Sequence, residues 1–354
     1  NDVVRIEKIQ LTHDAGLAEV ENIEVKLTRE NDAIRGADLK AELSSEALDL
    51  HELLLRLGIG DLPLEAFLST QAKCTGPLWP DLAITCEGDA TGEEIEVRSG
   101  EGLKKTIVQI EEIRASGRVL LDLEKVTYEV QLKAGQDSGR SSGLVRYETG
   151  FEIDFSTPRL HFSNVQHLVG LNIEGSARIN GKTTGNSDAA RFQMQLDGND
   201  ISFEKFYLGQ VRTGLRYDEG HLLFENLLGT VGSSTYAGFL DIDLRNEQMR
   251  IAAKSDRLDL FDVAQVLEKR IKIPVAISGS GVAEIDLQGP LEINRLTYKA
   301  TAHFSKVAAA GEIFDQVHVE AVSTKGEFAF QNTYVSKGEH RVLMSGVGHP
   351  NGQI

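Results

Sequence analysis

Apolar and polar residues alternate along most of this chain: Ile23/Val25/Leu27, Tyr128/Val130/Leu132, Phe151/Ile153/Phe155, Phe192/Met194/Leu196, Leu240/Ile242/Leu244, Ile273/Val275/Ile277 and Phe328/Phe330. Successive side chains of a strand point to opposite faces, so each segment predicts a strand with one buried and one wet face. Antiparallel sheets with a single apolar face carry this pattern, whereas α/β folds need helical segments of about 10–15 residues between strands. Helical spacing occurs at two places. Ser45 to Leu57 offers a capping Ser45, then Leu48, Leu50, Leu53, Leu54 and Leu57 before Gly58. Asp259 to Lys269 offers Leu260, Val263, Ala264, Val266 and Leu267.

The two helical segments belong to an internal repeat. Ser45-Glu-Ala-Leu-Asp-Leu50 matches Ser255-Asp-Arg-Leu-Asp-Leu260, Leu62-Pro63-Leu64 matches Ile273-Pro274-Val275, and Gly76-Pro77-Leu78 matches Gly289-Pro290-Leu291. Positions 48 and 258 lie 210 residues apart, 63 and 274 lie 211 apart, and 76 and 289 lie 213 apart, so the copies differ by three inserted residues. Pro63 and Pro274 are expected at equivalent places, each after its helix and at the start of a strand, because proline has no N–H to give a central ladder. A weaker echo runs from Leu168 to Gly181. Repeated units of this kind grow by burying each apolar face against the next. The expected organisation is a first β-repeat unit over 1–133 with its helix near 45–57, a Gly/Ser-rich loop over 134–143, and a second unit over 144–354 with its helix near 259–269. The two are expected to form one continuous elongated structure.

Charge and composition remove several function classes. Asp and Glu outnumber Lys and Arg by 54 to 37, for a net charge of −17. No basic stripe is present to displace counterions from phosphates, so nucleic acid is not an expected partner. The same charge opposes docking on anionic lipid head groups through a basic face, and a plain solubility role for the acidic surface accounts for it. No run approaches the ~18 apolar residues of a membrane-spanning helix, so these residues are expected to be soluble. The start, Asn1-Asp2-Val3-Val4, lacks an initiator Met and a basic-then-apolar leader; the chain reads as a piece of a longer protein, with any signal or anchor outside it. Cys74 and Cys86 flank the turn-rich Thr75 to Pro80 and are disulfide candidates if the compartment is oxidising.

Candidate chemistry is sparse. The nine histidines are scattered, without a His-Glu-x-x-His motif or a Cys/His cluster, so no metal or other cofactor is expected. His161 and His167, the closest pair, read as surface positions on a strand and turn. Gly139-Arg-Ser-Ser-Gly143 has the letters of a hydrolase nucleophile elbow, but both flanks read as strands where the elbow needs a helix leaving it. Asp197-Gly-Asn-Asp200 resembles part of a calcium loop without the Glu that completes one, and reads as a β-turn. Ser278-Gly-Ser-Gly281 precedes a strand, so it offers no helix N-terminus for phosphate. No catalytic residue is assigned.

Tyr217-Asp-Glu-Gly-His-Leu-Leu-Phe-Glu-Asn-Leu-Leu-Gly-Thr-Val-Gly, then Tyr236 to Leu244, then Ser255 to Leu260, resembles the repeats of the AsmA-like/TamB family. The phrases Ile277 to Leu291 and Leu171 to Gly181 are similar. The resemblance implies a mainly β, elongated, taco-like antiparallel groove with short capping helices. It also implies a periplasmic protein, anchored in the inner membrane by a segment outside this chain, that carries phospholipid between inner and outer membranes without catalysis. The lining it implies is Leu121, Leu123, Tyr128, Val130, Phe192, Met194, Leu196, Leu240, Ile242, Leu244, Ile273, Val275 and Ile277. The neighbouring possibility is an assembly or scaffold factor for outer-membrane β-barrel proteins, which would pair client strands at open sheet edges. A third is a β-solenoid enzyme acting on polysaccharide, which needs converging carboxylates. Alternation alone looks the same whether the apolar faces line a groove or close on a core.

Overall fold

Alternation becomes strand almost everywhere in the computed structural model. It describes residues 2–13, 16–31, 33–56, 64–98, 106–147, 149–165, 167–168, 171–186, 190–218, 220–267, 276–292, 295–324 and 327–348. The protein is mainly β, an open, repetitive antiparallel sheet structure with two short helices among the described residues. Contacts divide it into two units, residues 1–170 with 178–192, and residues 171–177 with 193–354.

In the first unit, β1 (Asp2–His13), β2 (Gly16–Glu30) and β3 (Ala33–Asp49) lead into α1 (Leu50–Arg56). Then come β4 (Leu64–Trp79), β5 (Ala83–Arg98), β6 (Thr106–Asp122), β7 (Lys125–Ala134), β8 (Asp137–Arg146) and β9 (Gly150–His161). Each strand pairs antiparallel with the next in sequence. Because β7 pairs only with residues 114–121 of β6, the earlier part of that long strand is free to pair elsewhere, and β10 (His167–Leu168) takes it at Val108 and Gln109. The segment 134–143, expected as a flexible loop and boundary, is instead a tight hairpin: Ala134 pairs with Asp137, and Ser138 to Gly143 continue in register with β7.

β11 (Ile173–Gly185) and β12 (Ala190–Phe203) contribute residues to both units. Asp197 to Asp200, expected as a turn, lies inside β12, with Asp200 at a φ of 54°. The second unit continues through β13 (Phe206–Asp218), β14 (His221–Val231), β15 (Ser234–Asp243) and β16 (Gln248–Asp259) to α2 (Leu260–Leu267). It then runs through β17 (Ile277–Pro290), β18 (Thr297–Ala309), β19 (Glu312–Thr324), β20 (Glu327–Lys337) and β21 (His340–Gly348). From β13 onward each strand again pairs antiparallel with its successor.

α1 starts at Leu50, later than the Ser45 its spacing predicts, whereas α2 follows directly on Asp259 as expected. Ser45 stays in the β3–β4 ladder opposite Thr70, with its hydroxyl 2.8 Å from Thr70 Oγ1, so it cannot cap. Asp49 does so, its Oδ1 accepting the Glu52 N–H at 3.1 Å. In the second copy Asp259 Oδ1 accepts the Phe261 N–H at 2.9 Å. An aspartate ahead of the first turn satisfies an orphan N–H and complements the helix dipole.

The repeat is visible in the hydrogen-bond register. Leu39 opposes Gly76, and the equivalent Met249 opposes Gly289; the two glycines have φ of 147° and 146°, a backbone suited to glycine. The β3–β4 ladder slips between Ser45 and Leu48, and the β16–β17 ladder slips between Ser255 and Leu258. One ladder later, the β4–β5 slip between Glu65 and Phe67 recurs in β17–β18 between Ser278 and Ser280. Equivalent β-bulges at equivalent positions mark a repeat of structure as well as of letters. Pro63 and Pro274 lie outside the described residues.

Candidate apolar binding face

Register brings the alternating residues into rows. In the first unit Ala41, Cys74, Cys86, Val119, Tyr128, Gly143 and Ile153 face one another in turn across β3 to β9. One position along each strand, Glu42, Lys73, Glu87, Arg118, Glu129, Ser142 and Asp154 form the matching row on the opposite face. One face is therefore apolar and the other carries alternating charge, which favours pairing across strands. Cys74 and Cys86 are disulfide-bonded within the apolar row, Cα atoms 4.0 Å apart. They pack with Ile84, Leu39, Leu43, Leu78, Leu82 and Leu121.

In the second unit the apolar row runs Leu215, Phe224, Leu240, Ile251, Leu287 and Tyr298 across β13 to β18. A parallel row runs Leu227, Gly238, Ala253, Ile285, Ala300, Ala321 and Phe330 across β14 to β20. Aromatic rings lie over opposed glycines on this face. A Cβ on Gly143 would come 2.7 Å from the Tyr128 ring, and one on Gly229 would overlap Tyr236. Both phenols find partners: Tyr128 Oη lies 3.1 Å from Ser141 Oγ, and Tyr236 Oη donates to the Leu208 carbonyl at 2.7 Å. Burial pushes both phenols above their ordinary pKa, and a ring parked over a glycine restores the apolar cover the glycine lacks.

The face is not uniform along the strands. Leu240, Ile242 and Leu244, expected to line a groove, are buried, Ile242 at 0% exposed, with the buried Leu222 and Met249 opposite Ile242 on either side. Leu196 is buried likewise, while Phe192 and Met194 are half-buried. α2 touches β13, β16 and β17 and so lies across the end of the sheet where β14 turns into β15. Between those ends Ile251, Ile285, Leu287 and Tyr298 are half-exposed, as are Leu121, Tyr128 and Val130 in the first unit and Ile277 in the second. Leu123 leaves the rows altogether: it sits in the turn after β6, 71% exposed. Ile273 and Val275 lie outside the described residues. Ile285 and Leu287 were missed as lining, although the alternation of Val282-Ala-Glu-Ile-Asp-Leu287 carries their signal.

Toward α1 the floor of the first unit turns polar. The row Leu43, Ala72, Gly88 is followed by Ser45, Thr70, Ala90. On the opposite, charged face a concavity of about 470 Å³ is lined by Glu19, Ser44, Glu46, Ser69, Gln71 and Asp89, which continue the row of Glu42, Lys73 and Glu87.

The remaining polar clusters read as structural. Asp137, 5% exposed, accepts the His161 N–H at 2.6 Å and the Asn164 amide at 2.7 Å, with His161 Nδ1 2.7 Å from its other oxygen. Burial raises the Asp137 pKa, but these bonds outweigh it and hold the carboxyl below its ordinary range. His161 keeps the surface place expected of it at the end of β9, its side chain 39% exposed, and is the partner of a buried carboxylate. Ser141, the centre of Gly139-Arg-Ser-Ser-Gly143, lies in mid-strand and bonds the Asp154 carbonyl at 3.2 Å. Among the described residues no three His, Cys, Asp or Glu side chains converge to hold a metal ion, and no helix is long and apolar enough to cross a membrane.

No family model, curated protein or solved structure matches this chain.

Proposed function

We propose that this protein binds phospholipid acyl chains non-covalently along the half-exposed part of its apolar face, and that it serves lipid transfer between inner and outer membranes of a cell envelope. The observation that carries the reading is the cross-strand row of apolar side chains in each unit, left half-exposed at Tyr128 in the first and at Ile251, Leu287 and Tyr298 in the second. Burying one CH₂ is worth about 0.8 kcal/mol, so a ~16-carbon chain gains on the order of 12 kcal/mol on a dry apolar floor. The resemblance to AsmA-like/TamB repeats supports the same reading, with a periplasmic location and an inner-membrane anchor outside these residues. The Cys74–Cys86 disulfide supports an oxidising compartment.

Native mass spectrometry of gently purified protein tests it. Bound phospholipid is expected, and protein free of lipid after purification and after incubation with phospholipid vesicles overturns the reading.

The second reading, a scaffold for outer-membrane β-barrel proteins, is favoured by β21. This strand exposes Val342, Leu343 and Met344, with Leu343 at 73%, and registers with β20 alone among the described residues. An exposed apolar edge recruits another strand. Capture of an unfolded barrel protein that is abolished by Val342→Pro, with no lipid bound, would favour this reading over lipid carriage.

A further inference from the structure

The charged face of the second unit carries a feature unrelated to lipid binding. His303 on β18 and His318 on β19 are directly opposed, their rings stacked with centroids 4.1 Å apart and their Nδ1 atoms 3.1 Å apart. Tyr334 lies beyond His318 with ring centroids 5.3 Å apart, so the pair is supported from one side. Two nitrogens bound to one metal at about 2.0–2.1 Å lie roughly 2.9–3.4 Å apart, which is the spacing seen here. Carboxylates and cations both lie nearby: Arg341 stacks over the Tyr334 ring at 4.0 Å, and Lys299 shares the face of His303 two residues before Thr301. Thr301, the preceding same-face residue on β18, is opposed by Glu284 on one side and Glu320 on the other.

We propose that His303 and His318 form a bidentate site for a divalent, imidazole-preferring transition cation. Copper(II) should bind most tightly in the divalent series, with nickel(II) and zinc(II) weaker. The histidine χ2 torsion is broad, so a rotation of each ring opens the stack and directs both Nδ1 lone pairs to one point. With its proton on Nε2, each ring coordinates through the Nδ1 lone pair as a neutral ligand. The protein supplies two ligands and water fills the remaining positions. Such a site joins β18 to β19 across the open side of their ladder.

Titration of the full chain with copper(II), read by electron paramagnetic resonance, is the test. One tightly bound equivalent with hyperfine coupling to two nitrogens is expected, together with a rise in melting temperature. His303→Ala and His318→Ala should each weaken binding by more than about tenfold, since even the loss of an outer-shell partner costs 10–100-fold. His221→Ala, altering a histidine beside Asp241 elsewhere on the unit, should leave the site intact. Both target side chains lie on the solvent-facing side, and the fold of each variant is checked by circular dichroism without metal. His318→Gln provides a polar replacement if the alanine variant unfolds. Equal affinity in the wild type and the two target variants, or coupling to a single nitrogen, overturns the proposal.

Discussion

Asp262 and Ser234 are 28 residues apart in sequence and joined twice: Asp262 Oδ2 accepts the Ser234 N–H at 2.9 Å and its hydroxyl at 2.7 Å. The same oxygen accepts the Ser233 N–H at 2.9 Å. Ser234 Oγ in turn accepts the Asp259 N–H at 2.8 Å, immediately before α2. The turn into β15 and the start of α2 are thus held by one buried network. The hydrophobic stripe of an eight-residue helix is too short to hold it in place alone.

Asp262→Ala should therefore destabilise the second unit by about 3 kcal/mol, because it leaves several buried donors unsatisfied. Asp262→Asn keeps one acceptor oxygen and should lose markedly less. Urea unfolding at neutral pH compares the three proteins. An alanine variant indistinguishable from wild type would mean the network does not hold the helix.

The repeat predicts a stabilising substitution. Ser45 Oγ has Thr70 as partner at 2.8 Å, but the position equivalent to Thr70 in the second copy is Ala283, and the buried Ser255 Oγ has no hydrogen-bond partner. Ala283→Thr should return the missing partner and add about 0.5–1.5 kcal/mol, the net worth of one hydrogen bond. Ser255→Ala should be neutral or mildly stabilising, whereas Ser45→Ala should cost about 1 kcal/mol. Thermal melts of the three variants decide this, and a destabilising Ala283→Thr would show that the two ladders differ in local geometry despite sharing a register.

Much of the fold is legible from the sequence because period-two alternation is a local property. Residues such as Tyr128/Val130/Leu132 state their strand and their face without reference to the rest of the chain. The repeat is legible for a similar reason, since Leu-Asp-Leu marks a strand running into a capped helix in both copies. The start of α1 is not, because Ser45 has two possible uses, cap or ladder partner, and only Thr70 across the sheet decides between them. The lining is only partly legible. Leu240, Ile242 and Leu244 alternate just as Ile251 and Leu287 do, and the difference between closed core and open floor depends on what lies opposite, which spacing does not record. Likewise Gly139 to Gly143 has the composition of a loop, but Gly143 is the space under the Tyr128 ring.

Asp137 ties stability of the first unit to pH. Its folded-state pKa is held below the ordinary value, so its contribution is fully present above the unfolded carboxyl pKa, near 4, and is lost as pH falls through the lower folded value. The wild type should lose more stability between pH 6 and pH 3 than Asp137→Asn does. Denaturant unfolding at the two pH values measures the difference. Equal losses would mean that the bonds from His161 and Asn164 do not favour the ionised form.

Charge placed on the apolar face should separate its closed and open parts. At Ile242, fully buried, a carboxylate has neither water nor a partner, so Ile242→Asp should cost several kcal/mol out of a typical 5–15 and leave the second unit unfolded. At the half-exposed Leu287 and Val130 the new carboxylate can reach water, so Leu287→Asp and Val130→Asp should fold with far smaller losses. An acyl chain crossing these positions would meet an unpaired charge, and bound phospholipid should fall while the fold persists. Thermal unfolding and lipid content measured on the same samples make the comparison. Wild-type lipid loading in well-folded Leu287→Asp and Val130→Asp would mean that acyl chains do not lie on these rows; unfolding of both would mean that the face is closed there as well, with its half-exposure too slight to admit a ligand.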